Sequence, residues 1–345
     1  LLTELVFADP HLVAGGSPHA VVPAAGGVEL PAAARPLDVR RVEVVGAGTV
    51  RGLEDWLAET WATSLVVVHD GEVVHEWYAE GHGPQTLFLG ASMTKSVLGV
   101  LVERALDLDA AVVDLVPELG GSGYAGTRVR DLLTMTSGVG WVEDHRDPDS
   151  LASRLVGCFH GGGDSRALLR EVPAGVAPGT RWTYCTADSQ VLDWARERAT
   201  GRTFVEDLTA QWREAGCTRD AVVALDGAGV AMAGGGLAST ARDWARLAAL
   251  VGPEAARPAY DITRVSRLPS TITSFAGFGR HWWPMDDHGH RVTADGSRGQ
   301  FACTDLRTGT VVVKTSLWPY ADPWVDRQAR DLSYLGLHAL LDAVT

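Results

Sequence analysis

The chain has 345 residues, 46% of them apolar, and a net charge of −13. This is enough apolar matter for a large core, in one big domain or two. Its arginines are scattered rather than clustered, and no apolar run approaches the ~20 residues that cross a bilayer, so nucleic-acid binding and membrane insertion are both excluded as readings.

Residues 1–50 are rich in Ala, Gly, Pro and Val without periodicity and read as an arm that packs on the body. The chain opens on Leu1 rather than Met, which leaves a removed leader open. Leu65 to Val68, then Asp70-Gly71, then Val73 to Tyr78 predicts a β-hairpin with a tight turn. A loop ends at Gly90, and the apolar run from Ser92 to about Ala105 has the length of a buried helix. Helix-like stretches follow at Val129 to Met135, at Ser189 to Ala199 with Gly201 as the stop, and at Thr240 to Val251 with Ser239 or Thr240 as the cap. Phe301 to Thr304 and Thr310 to Ser316 read as strands, and a helix from about Val325 to Val344 closes the chain. Strands at both ends around a helical middle predict an α+β fold. Residues 51–106 and 266–345 would form one antiparallel sheet and 107–265 a helical subdomain, together a single unit over 51–345.

The four cysteines, Cys158, Cys185, Cys217 and Cys303, form no C-x-x-C pair and read as reduced thiols of a cytoplasmic protein. Of the 30 basic residues only Lys95 and Lys314 are lysines. Arginine stays protonated in proteins, whereas lysine loses its proton once burial or a nearby cation destabilises the charge. Lys95 lies three residues after Ser92, one helical turn on and on the same face, so its amine can reach the hydroxyl. This pattern points to a serine nucleophile with a lysine base, at a helix start whose N–H groups favour negative charge. The bland alternative is a helix cap followed by a surface lysine. Lys314, in the valine-rich run Val311 to Thr315, reads as an edge or snorkelling residue.

Other patterns carry less. Phe159-His160-Gly161-Gly162-Gly163 imitates a lipase oxyanion loop, but Gly90-Ala91-Ser92-Met93-Thr94 lacks the last glycine of the matching nucleophile elbow. Asp286-Asp287-His288-Gly289-His290 crowds its candidate ligands into one polar loop, without metal-site spacing. Trp282-Trp283 fits a core pair or a pocket wall equally well.

Taken in order, Ser92-Met93-Thr94-Lys95, Arg130 to Gly138 (RDLLTMTSG) and Pro178 to Tyr184 (PGTRWTY) resemble the serine β-lactamase and penicillin-binding-protein superfamily. Within it the chain is most similar to the nylon-oligomer hydrolases, through Tyr184-Cys185-Thr186, His281-Trp282-Trp283 and Val313 to Pro319. The resemblance spans about residues 55–344. It implies a β-lactamase/DD-peptidase-like fold and a hydrolase of linear amides or esters working through an acyl-enzyme. Ser92 would be the nucleophile, Lys95 the base, and Tyr184 the proton shuttle, its anion favoured by the lysine ammonium. The backbone N–H groups of Ser92 and Gln300 would form the oxyanion hole.

The same resemblance implies a substrate-binding set of His145, Arg298, Gly299, Trp283, Gly234 and Thr186. No metal or organic cofactor is implied, the partner would be a small linear amide or ester, and a homodimer stays open. The chain departs from the nylon hydrolases at His145, where a tyrosine holds substrate, at Gly234, where they have asparagine, and at Arg298, where they have histidine. Arg298 would either pair with a substrate carboxylate or lower the Tyr184 pKa. Gly299 would let substrate approach the backbone. Amidase, carboxylesterase, D-peptidase and β-lactam chemistry share this scaffold, as would a module that is acylated without turnover.

Overall fold

The computed structural model describes residues 5–6, 18–24, 26–160, 162–257, 277–319 and 328–344. The first half carries β1 (Leu5–Val6), β2 (His19–Val22), β3 (Val44–Gly46), β4 (Thr49–Arg51), α1 (Leu53–Glu59), β5 (Ala62–His69), β6 (Glu72–Tyr78), β7 (Leu87–Leu89), α2 (Met93–Ala105), α3 (Val112–Leu115), α4 (Val129–Leu133), α5 (Leu151–Cys158) and α6 (Ser165–Leu169). The second carries α7 (Thr186–Thr200), α8 (Phe204–Glu214), β8 (Ala221–Ala224), β9 (Leu237–Ser239), α9 (Ala241–Ala248), β10 (Trp283–Pro284), β11 (Arg291–Gly296), β12 (Gln300–Asp305), β13 (Thr310–Ser316) and α10 (Gln328–Val344).

The main sheet has six antiparallel strands in the order β10-β11-β12-β13-β5-β6, so both ends of the chain build it. Its first hairpin turns at Asp70 (φ 50°) and Gly71 (φ 77°), the left-handed pair whose twist suits a two-residue connection. β5 and β13 are buried almost without a break because helices cover both faces. Leu65, Val67 and Val312 point to one core, with Trp56 of α1 and Leu337 of α10. Val66, Val68, Val311 and Val313 point to the other, with Leu98 of α2 and Trp244 of α9. The period of two divides one strand between two cores.

Helix ends follow local chemistry. Gly201 adopts φ 68° and stops α7, and the Thr240 hydroxyl accepts from Asp243 N to start α9. α10 agrees with the closing helix expected from sequence; residues 325–327 lie outside the described set.

Two expectations change. The arm supplies β2 to a second sheet, ordered β1-β7-β9-β8-β2, and residues 31–37 run along β6 through Val73 and Val74. These strands have two to four residues each, too short for a readable period. Lys314 is not at an edge: β13 is central, and the side chain is fully buried between the Trp56 and Phe301 rings. Its amine donates to Ser316 Oγ, Thr60 O and Ser333 Oγ, and no carboxylate among the described residues pairs with it.

Candidate active site

Ser92 occupies the N-cap position of α2 but makes no capping bond; it is itself helical (φ −63°, ψ −9°). The turn is carried instead by backbone bonds from Met93, Thr94 and Lys95 to Gly90, Ala91 and Ser92. Ala91, at φ 46°, supplies the sharp reversal. The hydroxyl is thereby free of a capping role, and Ser92 is partly exposed while Met93 to Val102 are buried.

Lys95 Nζ lies 3.0 Å from Ser92 Oγ and donates to Gly234 O at 2.6 Å. Burial is the main influence on this amine and lowers its pKa to about 8, against the pull of Glu143 and Cys185. Near neutrality a fraction is therefore uncharged and can accept the serine proton. Gly234 enters the site through its carbonyl, and its own N–H is held by Gln190 Oε1 at 2.8 Å.

Tyr184 stands just before α7, its ring 5.2 Å from Lys95 Nζ. It stacks on Trp283 at 6.1 Å and 19°, and Trp283 in turn packs on Trp182 and Phe278. Trp283 thus belongs to a buried aromatic cluster. The expectation of a favoured phenolate is overturned. Burial raises the Tyr184 pKa, Glu143 adds to this, and the opposing pull of Ser92 is weaker. Tyr184 rests as a protonated phenol, able to donate. Arg330 of α10, which lies over Trp283 and is paired with Asp295, pulls weakly the other way.

Arg298 adopts φ 59° in the β11–β12 turn, and its Nε is buried without a hydrogen-bond partner. Its carbonyl accepts from Trp318 N and Gln300 Nε2. Gly299 has φ 87°, and a Cβ there would meet Trp318 at 2.4 Å and Ser316 at 2.8 Å. Packing beneath the turn by itself demands this glycine. Gln300 pairs with Gly296, where a Cβ would lie 2.1 Å from Gly90 O, so the turn presses directly on the loop that carries Ser92.

The residue that sequence reasoning missed is Glu143. It was visible only as one charge in a polar loop. Its carboxylate accepts from Trp141 Nε1 (2.6 Å), His145 Nε2 (3.2 Å), Thr186 N (2.9 Å) and Thr186 Oγ1 (2.5 Å). His145 and Thr186, both expected at the substrate, are thus joined through Glu143. Burial alone would raise this carboxyl, but the bond from His145, the Lys95 charge and the bond from Thr186 outweigh it and bring it to about 2.

Asp286, in the loop weighed as a metal site, accepts from the backbone N–H groups of His288, His290 and Arg291 and so shapes its own turn. No group of three or more His, Cys, Asp or Glu side chains among the described residues is arranged to hold a metal. All four cysteines are free and buried. No described helix is long and apolar enough to cross a membrane.

The six-stranded sheet with helices packed on both faces, and the serine and lysine at the start of α2, define a β-lactamase-fold hydrolase. Residues 53–334 match the Beta-lactamase family, and the chain belongs to it. It is 30% identical over 323 residues to 6-aminohexanoate-dimer hydrolase of Paenarthrobacter ureafaciens, covering 85% of this chain and 82% of that protein. A Bacillus anthracis protein provisionally named a 6-aminohexanoate-dimer hydrolase superposes with a TM-score of 0.76 at 20% identity, over 94% of this chain and 92% of that one. A penicillin-binding protein homologue from Pyrococcus abyssi superposes at 0.59 and 18% identity, over 84% and 76%. At such identities the last two speak for the fold alone.

Proposed function

We propose that this protein is a serine hydrolase that cleaves a linear amide or ester through an acyl-enzyme, similar to 6-aminohexanoate-dimer hydrolase and with esterase activity on short acyl esters. The observation that carries this reading is the 3.0 Å approach of the buried Lys95 amine to a Ser92 hydroxyl that caps nothing. Neutral Lys95 takes the Ser92 proton as Oγ bonds to the substrate carbonyl carbon. The oxyanion is received by the N–H groups of Ser92 and Gln300. The Tyr184 phenol protonates the departing amine or alcohol as the carbon–heteroatom bond breaks, and the Lys95 ammonium restores the phenol proton. Water then attacks the ester on Ser92, its proton returning through the same groups, and the acid leaves. Arg298, with its unpartnered Nε, supplies a cation for an acidic group on the substrate. Trp283 forms the apolar wall.

Two measurements test this. Mass spectrometry after a fluorophosphonate label shows one adduct, on Ser92, that is absent in Ser92→Ala. A chromogenic butyryl ester shows a burst followed by steady turnover. Absence of the adduct sinks the hydrolase reading, whereas a burst without turnover converts it to an acylation-only module. Comparing linear ω-amino amides, D-amino-acid amides and a β-lactam then ranks the substrate classes.

A further inference from the structure

Glu143 sits where three parts of the site meet, and nothing in the mechanism above uses it. It lies in the loop after Trp141, yet its bonds go to Thr186, the first residue of α7 and two beyond Tyr184. Both Glu143 oxygens are engaged: Oε1 by Thr186 Oγ1 and His145, Oε2 by Thr186 N and Trp141. Such a carboxylate has no freedom to turn away. It also receives the N–H of a helix start, where negative charge is favoured. Thr186, which it holds, packs on Gly234, with Thr186 Cγ2 3.2 Å from where a Gly234 Cβ would stand, and Gly234 O is the acceptor of the Lys95 amine, so the carboxylate is one side chain removed from the lysine.

We propose that Glu143 is a positioning residue with two tasks: it clamps the corner that presents Tyr184, and its fixed negative charge stabilises the ammonium that Lys95 becomes on taking the serine proton. The inference rests on the Ser92–Lys95 reading and deepens it. Proton transfer from a neutral hydroxyl to a neutral amine creates charge in a buried place, and a pre-placed opposite charge lowers that cost without reorganisation. The other groups facing Lys95 do not do this. Gly234 offers a carbonyl and Tyr184 a ring face. His281 is held neutral, its pKa lowered to about 3 chiefly by burial, with Nδ1 on Leu133 O and Nε2 on Ser189. Burial raises the Cys185 thiol well above its ordinary value, so it too stays neutral. Asp188 beneath it, bonded by Tyr124, is pushed up by burial to about 7. Glu143 alone among these keeps a full negative charge across the working range.

The two-lysine composition makes the test direct. Protein grown on [ε-13C]lysine gives two resonances, assigned with Lys314→Met, and each is titrated without any substrate. Glu143→Gln keeps the shape and removes the charge, so the Lys95 midpoint falls by about one pH unit while Lys314 stays put. The acid limb of kcat/KM on a neutral chromogenic ester moves down by the same amount. Glu143→Asp retains the charge and holds the Lys95 midpoint within ~0.3 unit of the unmutated protein. A Lys95 midpoint unmoved by Glu143→Gln, or moved equally by Glu143→Asp, overturns the proposal. Should the Gln variant not fold, the Glu143 13Cδ resonance of the unmutated protein must still show a step at the Lys95 midpoint, and its absence is equally fatal. Because the lysine titration needs no turnover, its failure is distinct from failure of the hydrolase reading, which the Ser92 label decides.

Discussion

The two lysines are both buried and both depressed by burial, yet only Lys95 has a partly exposed serine beside it, the pair proposed to do the chemistry. Lys95 has a partly exposed hydroxyl at 3.0 Å, a phenol beside it and a carboxylate to set its charge. Lys314 has more hydroxyls within reach but is sealed under α1 and α10 between two aromatic rings, and its pKa falls to about 7 through burial alone. A lowered amine pKa therefore does not make a base. What makes one is a proton donor that substrate can also reach.

The largest difference between the two appears in turnover. Lys95→Arg keeps a cation but cannot accept a proton, and kcat/KM on a short ester falls by about 10³-fold. Lys314→Met changes the same constant by less than about threefold, since the side chain is sealed in the other core between the Trp56 and Phe301 rings. Equal effects would erase the distinction drawn above.

Tyr184→Phe comes next. It costs about 10²-fold on an amide and clearly less on an activated ester, because a good leaving group needs no proton. Matched losses on both substrates would assign Tyr184 to the shape of the site rather than to proton donation.

Stability inverts the ranking. An amine with a folded pKa of about 7 and an unfolded value near 10.5 is protonated more readily in the unfolded chain. Native stability is therefore penalised in full below about pH 7 and recovers as the pH rises toward 10.5. Lys314→Met removes the penalty, so urea unfolding at pH 7 shows a gain of about 2 kcal/mol or more, and much of the alkaline rise in stability disappears. Lys95, lowered to about 8, contributes with the same sign over a narrower window.

The smallest effect concerns Arg298. Arg298→Ala lowers kcat/KM for an acidic ester by about tenfold and leaves a neutral ester unchanged. Equal, negligible effects on both would remove Arg298 from substrate recognition.

Local rules made much of this molecule legible before any coordinates. Asp70-Gly71 between apolar runs specifies a hairpin, Gly201 ends α7, Thr240 opens α9, and S-x-x-K spacing places an amine one turn from a hydroxyl. Each depends on neighbours within about four positions, which is what a chain encodes most directly. The protonation states, the Glu143 clamp, the sealing of Lys314 and the second sheet depend instead on groups brought together from far apart. Glu143 meets Thr186 across 43 positions, and Lys314 meets Thr60 across 254. The order of residues therefore determined which side chains could take part, while the tertiary structure decided which of them lost water and gained partners, and so which carry charge.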